Sequence, residues 1–273
     1  MRNVMVGFDG SRGSRAALRQ AMLLADATSA RLHLLQAVEP IGPATELLAD
    51  DDDPVSLVDR IDARAAEDEL PIVEDDGDLS LAVKMCEERG IVCSHERLHG
   101  MARRLLRERS VGMDLLVVGR RGTMGRSRVG ASAASIIHQP TIPTVLCRDE
   151  IVPWDRLLLC YEPSIAGGRA LQLAGSLASG MNVVLDVVCA DQRREAAHRN
   201  VQAARKVLRA YHVEGEDVPH VGRMADAVPS ACLQLRSSVV IIPAALPWPW
   251  SWSRNPVVEA AVDFSAAIPV VVP

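Results

Sequence analysis

Short apolar runs alternate along the chain with longer segments whose apolar positions recur at helical spacing. The first run, Val4-Met5-Val6-Gly7-Phe8, ends in Asp9-Gly10-Ser11 and is followed by Ala17, Ala21, Leu24, Ala25 and Thr28. Spacing of i, i+4, i+7 and i+8 marks one face of an amphipathic helix. Ser11 stands where an N-cap hydroxyl would accept a bond from a free first-turn N–H. A second strand, Leu32–Val38, comes next.

The same order returns later. Leu157–Tyr161 reads as a strand and Glu162-Pro163-Ser164 as its turn. Ala170, Leu173, Ala174, Leu177 and Ala178 mark a helix face, and Val183–Val188 a second strand. Leu115–Val118 and Val239–Ile242 correspond, as do the closing runs Ile142–Leu146 and Ile268–Val272. Self-similarity on this scale predicts two copies of one α/β unit, 1–150 and 151–273, with the boundary near Glu150 to Pro153. Strands alternating with helices imply parallel sheets covered on both faces, with any ligand beyond the carboxyl ends of the strands. The halves differ most between Pro40 and Leu79. This stretch carries Asp50–Asp53 and Glu74–Asp76, opposed only by Arg60 and Arg64. It reads as a solvated acidic insertion, since packed carboxylates alone lack the oxygen geometry of a cation site.

Composition narrows the function classes. The 273 residues are 48% hydrophobic and 3% aromatic, which suits helices of Ala, Val and Leu layered on buried sheets. A net charge of −5 disfavours general nucleic-acid binding. No apolar stretch reaches the ~18 residues of a membrane span, and no leader pattern precedes the first strand, so a soluble cytoplasmic protein is expected. The six cysteines form no C-x-x-C pair and several sit in apolar runs, which predicts free, buried thiols in a reducing compartment.

The most function-like segment follows Val118: Gly119-Arg120-Arg121-Gly122-Thr123-Met124-Gly125-Arg126-Ser127-Arg128-Val129-Gly130-Ala131-Ser132. A glycine turn between a strand and a helix can aim backbone N–H groups at a phosphate, and the arginines add positive charge. The alternative is a surface turn with solvated arginines. No P-loop pattern occurs, and the glycines lack the spacing and position of a dinucleotide fingerprint. His95 and His99 read as structural, and Asp114 as a cap on the turn before Leu115. No nucleophile elbow and no activated cysteine stands out.

Taken together, the Asp-Gly-Ser end of the first strand, the Val-Gly end of the fourth, the G-x-x-G turn and the closing Pro-Thr-Val-Leu strand resemble the universal stress protein family. The likeness extends over both halves and is similar to the tandem form. It implies two five-stranded parallel-sheet α/β domains of the HUP/Rossmann-like kind. Some members of that family bind ATP through an Asp after the first strand and a loop of pattern G-x2-G-x9-G-[ST]; others lack the loop and bind none. Carried over, Asp9 would meet the adenosine end, Gly7 would pass the base, and Val38 would form the apolar wall. Gly119 and Gly122 supply G-x2-G and Gly130 the later glycine, with seven residues between Gly122 and Gly130 instead of nine. Ala131 stands where a hydroxyl would meet phosphate, and Ser132 follows one step on.

In the second half Glu162 replaces Asp9, Pro163 the glycine, and the run after Ile242 is rich in proline, which offers no N–H. A nucleotide site is not expected there, and Trp248, Trp250 and Trp252 read as packing over their own domain. The resemblance thus implies an adenine nucleotide, ATP with Mg²⁺, in the first domain of a stress-response regulator that has protein partners. Its halves would pair through Pro143–Cys147 and Pro269–Pro273, with a homodimer as a further option. The rival expectation is a nucleotide-independent interaction scaffold. Slow ATP hydrolysis is the weakest alternative, because no residue clearly positions a water.

Overall fold

Each apolar run becomes a strand and each helical stripe a helix. In the first half these are β1 (Asn3–Gly7), α1 (Arg12–Thr28), β2 (Arg31–Val38), α2 (Gly77–Glu88), β3 (Cys93–His99), α3 (Ala102–Arg109), β4 (Leu115–Gly119), α4 (Ala131–His138) and β5 (Thr144–Cys147). The second half has β6 (Arg156–Cys160), α5 (Ile165–Met181), β7 (Val184–Asp191), α6 (Arg194–Leu208), β8 (Asp217–Val221), α7 (Met224–Leu235), β9 (Val239–Pro243), α8 (Pro256–Asp263) and β10 (Ile268–Val272). The structure, a computed structural model, describes residues 1–38, 77–121, 129–244, 255–263 and 267–273. Most of the acidic insertion, part of the glycine turn and the three closely spaced tryptophans therefore lie outside the described residues.

Ten strands form one sheet in the order β3-β2-β1-β4-β5-β10-β9-β6-β7-β8. Within each half the pairing is parallel. The halves meet where β5 runs antiparallel to β10, Val145 opposite Val270 and Thr144 opposite Val271. Each closing strand would otherwise be an open edge, and their pairing satisfies both rows of backbone groups. The order reverses between β1 and β4, and again between β6 and β9, so each half has its own switch point.

The two sheet faces carry separate cores, and both cores run through both halves. Beneath α1, α2, α5 and α6 lie Ala21, Leu24, Leu79, Val145, Trp154, Ala174, Val201 and Val270. Beneath α3, α4, α7 and α8 lie Leu106, Ile136, Leu146, Leu158, Val228 and Val271. Gln20, buried on α1, also fixes the connection between the halves: its Nε2 donates to the Val152 carbonyl (2.8 Å) and its Oε1 accepts from the Val152 N–H (3.1 Å).

Polar anchors hold the amino ends of the strands. Asp186 on β7 is fully buried and accepts from Arg156 Nε (2.6 Å), Arg156 Nη2 (3.1 Å) and the Glu216 N–H (2.8 Å). Arg156 also meets Glu216 at 2.8 Å. In the first half Asp114 accepts from the backbone N–H groups of Arg2 (2.5 Å) and Asn3 (2.9 Å). It ties β1 to the start of β4, a wider role than capping one turn. The far end of the expected insertion is also structural: Leu79 is buried and Asp78 pairs with Arg15 on α1 at 2.9 Å.

Candidate functional site

The carboxyl ends of β1, β2 and β4 come together at the first switch point. After β1, Phe8 turns into the core and its N–H donates to the Leu35 carbonyl, so Asp9 emerges beside the end of β2. Asp9 Oδ1 accepts from the Ser11 N–H (3.0 Å), which fixes the carboxylate at the mouth of α1. Gly10 between them has φ +74°, a conformation that favours glycine. As expected, Ser11 is the N-cap: its Oγ accepts from the Ser14 N–H (3.1 Å). The same hydroxyl donates to the Arg121 carbonyl (3.3 Å), joining the β1 turn to the turn after β4.

Gly119 ends β4 directly against α1. A Cβ there would lie 2.5 Å from the Gly13 carbonyl carbon, and one on Gly13 would lie 2.3 Å from the Arg121 oxygen. The Arg120 carbonyl then accepts from the Gly130 N–H (2.9 Å), drawing the two ends of the glycine turn together. Gly130 is the N-cap of α4 and makes no side-chain cap bond, and Ser132 sits half-buried in the first turn. Asp9, Gly119, Gly130 and Ser132 are therefore placed around one switch point, with Val38 half-buried at the end of β2. Gly7 faces α3, where a Cβ would meet the Leu106 and Val118 side chains at 3.3 Å. Gly122 lies outside the described residues, as do Arg126 and Arg128.

Two contributors carried no motif. Gly13 is a helix-interior glycine that only the approach of β4 explains. Asp78 comes from α2, far along the chain, and a Cβ on Gly10 would lie 2.6 Å from its Oδ2. An isolated glycine within a helical pattern was the available signal for the first; nothing in the sequence signals the second.

Sheet register shows why the second half differs. Gly7 pairs Leu35 as Cys160 pairs Val188, so Asp191 stands where Val38 does. Val6 pairs Val117 as Leu159 pairs Ile241, so Pro243 replaces Gly119. Ser164 Oγ donates to Glu162 Oε1 (2.9 Å) and accepts from the Gly167 N–H (2.9 Å), closing the mouth of α5 with its own side chains. A carboxylate thus stands where the first half has Val38, and a proline ring where it has Gly119, whose lack of a side chain lets β4 approach α1.

Burial pushes the Cys147 thiol well up, and those of Cys189 and Cys232 up to about 12. Among the described residues no group of three His, Cys, Asp or Glu side chains could hold a metal ion. No described helix is long and apolar enough to cross a membrane.

A doubled parallel α/β sheet with a glycine turn at its first switch point defines the class. The pattern of the universal stress protein family matches residues 1–148, and the chain belongs to that family. Its fold is similar to a universal stress protein from Archaeoglobus fulgidus DSM 4304, with a TM-score of 0.72 and 15% identity over 99% of this chain and 97% of that one. A putative universal stress protein from Pseudomonas aeruginosa UCBPP-PA14 is similar at TM-score 0.65 and 15% identity, over 100% and 93% of the two chains. Against curated protein sequences the chain finds no significant match.

Proposed function

We propose that the first half, 1–150, binds one adenine nucleotide, with ATP the preferred ligand, and that 151–273 is its structural partner in a regulator of the stress response. The observation that carries this reading is the bond from the Gly130 N–H to the Arg120 carbonyl. It sets the start of α4 beside the end of β4, one strand from Asp9. The residues present fit the two ends of such a ligand. Asp9 and Val38 offer a carboxylate and an apolar wall to the adenosine. The first turn of α4, Ser132 and the flanking arginines offer N–H groups, a hydroxyl and positive charge to the phosphates. Mg²⁺ would enter with a triphosphate as its counter-ion.

The scaffold reading is favoured by a different contact. The Arg121 carbonyl already accepts from the Ser11 hydroxyl, so the β4 turn is bonded across the mouth of α1 without any ligand.

Calorimetric titration with ATP, ADP and AMP, with and without Mg²⁺, separates the two, supported by mass spectrometry of small molecules released on denaturation. One site per chain is expected, together with about a tenfold loss of affinity (~1.4 kcal/mol) in Ser132→Glu. An acidic side chain in the first turn of α4 repels phosphate yet suits the helix dipole, so the melting temperature should not fall. Absence of binding heat and of released nucleotide in the unmutated protein would leave the scaffold reading.

A further inference from the structure

On the α3 side of the sheet the apolar core thins out toward β3. The helix has only eight residues, and its Leu106 packs in one core with Met5 and Leu35. Side chains alternate between the faces of a strand, so His33 shares this face with Leu35, and Ser94 shares it with Glu96. Register sets His33 between Met5 and Ser94, and Leu35 opposite Glu96. Ser94 and Glu96 are exposed and His33 is half-buried. The Ser94 Oγ lies 2.6 Å from His33 Nδ1. By contrast, the hydroxyls of Ser14, Ser110 and Ser238 donate to backbone carbonyls. A cleft of about 80 Å³ opens beside the pair and is also lined by Met5, Leu35, Glu96, Arg109 and Met113. Arg109 Nε meets Glu96 Oε2 there at 3.3 Å.

We propose that Ser94 is an acylation site, with His33 as its general base and an activated ester of a short carboxylic acid as the acyl donor. With the imidazole proton on Nε2, the Ser94 O–H donates to Nδ1. Ser94 Oγ attacks the ester carbonyl carbon as its proton passes to Nδ1, and the carbonyl oxygen becomes an oxyanion. The oxyanion collapses, the bond to the leaving alcohol breaks, and that alcohol takes the proton from Nδ1. A new C–O bond joins the acyl group to Ser94, and His33 is neutral again. One ester is exchanged for another, and nothing is oxidised or reduced.

Nucleophile and base stand on neighbouring strands, so the sheet ladder holds their spacing with a precision that a loop would not give. Exposure of Ser94 admits the donor, and Met5, Leu35 and Met113 offer its acyl chain an apolar lining. The size of the cleft restricts that chain to a few carbons. Arg109 commits its Nε to Glu96, and the other N–H groups of a guanidinium are donors suited to an oxyanion. His33 and Ser94 lie toward the amino ends of β2 and β3, away from the switch point where the nucleotide is placed.

The full chain is incubated with p-nitrophenyl acetate, quenched in acid at intervals, digested and mapped by mass spectrometry. Ser94 should be acetylated faster than any other serine, and hydroxylamine should remove the label as it does from an ester. His33→Gln keeps a polar side chain without a base, and should slow labelling of Ser94 by ~10²-fold or more. In urea the Ser94 of the unmutated chain should label no faster than the other serines, a comparison that needs no variant to fold. Labelling of native Ser94 at the rate of the other serines would overturn the proposal. So would a Ser94 rate that urea leaves unchanged, or one that is unchanged in a His33→Gln chain of native melting temperature.

Discussion

Gly119→Ala is the substitution that best separates a glycine kept for packing from one kept for a ligand. The position does not have a positive φ, so alanine suffers no backbone strain there and only contacts decide. The added methyl would lie 2.5 Å from Gly13 C, 2.7 Å from Gly13 O and 2.8 Å from Ser14 N. All three are backbone atoms of the first turn of α1, so no side chain can swing away. The helix start must retreat by about 1 Å to restore ordinary van der Waals contact. Its retreat is resisted by the core beneath Ala17 and Ala21 and by the Ser11 contact with Arg121. Overpacking of this kind costs about 1–3 kcal/mol. Reduced freedom of the unfolded chain returns about 0.4–1 kcal/mol. A net loss of about 1–2 kcal/mol is expected, read as a lower urea midpoint at unchanged slope, with a melting temperature several degrees lower. A loss below about 0.5 kcal/mol would refute the packing account, because that is the range of unremarkable surface substitutions. If the account holds, weaker nucleotide binding in Gly119→Ala reports a displaced Asp9 turn, and does not by itself show ligand contact at residue 119.

Two further outcomes test the anchors at the opposite end of the strands. Asp186→Ala removes a fully buried carboxylate and strands the Glu216 N–H. Breaking a buried pair typically costs ~3–5 kcal/mol, but Arg156 keeps Glu216 and some solvent, so about 2–3 kcal/mol is expected in urea titration, with Asp186→Asn milder. A near-neutral Asp186→Ala would mean that the network is not stabilising. Asp114 gives a pH signature. Burial pushes its carboxyl up, yet the Arg2 and Asn3 N–H groups outweigh that and hold it below the ordinary range. A lowered folded value means its contribution is complete above the unfolded value of about 3.9 and is lost as pH falls through the folded one. The stability gap between the native chain and Asp114→Asn should therefore be constant near neutrality and close only in that acid window; a gap that persists below it would contradict the assignment.

Periodicity was enough to read four strands of each half, because buried parallel strands and amphipathic helices leave patterns within a few residues of each other; the polar edge strands β3 and β8 carry no such run, and a fifth strand per half came only with the family resemblance. The pairing of β5 with β10 was implied by the family resemblance and by the need of each closing apolar strand for a neighbour. The site was only partly legible. Asp9 and Gly119 announce themselves through neighbours in sequence, whereas Gly13 and Asp78 matter through approaches between elements far apart in the chain. Asp191 illustrates the same limit. Only the register of β6 with β7 shows that it occupies the place of Val38, and register is a property of pairing.

The antiparallel seam has a consequence for the order in which the protein is made. Both strands of each ordinary parallel pair in the first half leave the ribosome before the second half exists, but β5 must wait for β10. That partner arrives roughly 120 residues later, which at ~5–20 residues per second is an interval of about 6–24 s. Throughout it Val145, Leu146 and their backbone groups form a bare sheet edge, shielded on its leading side by Pro143, which can offer no N–H to a stray strand. Until β10 arrives to close the sheet, the shortness of β5 and that proline are what stand between this edge and a stray strand.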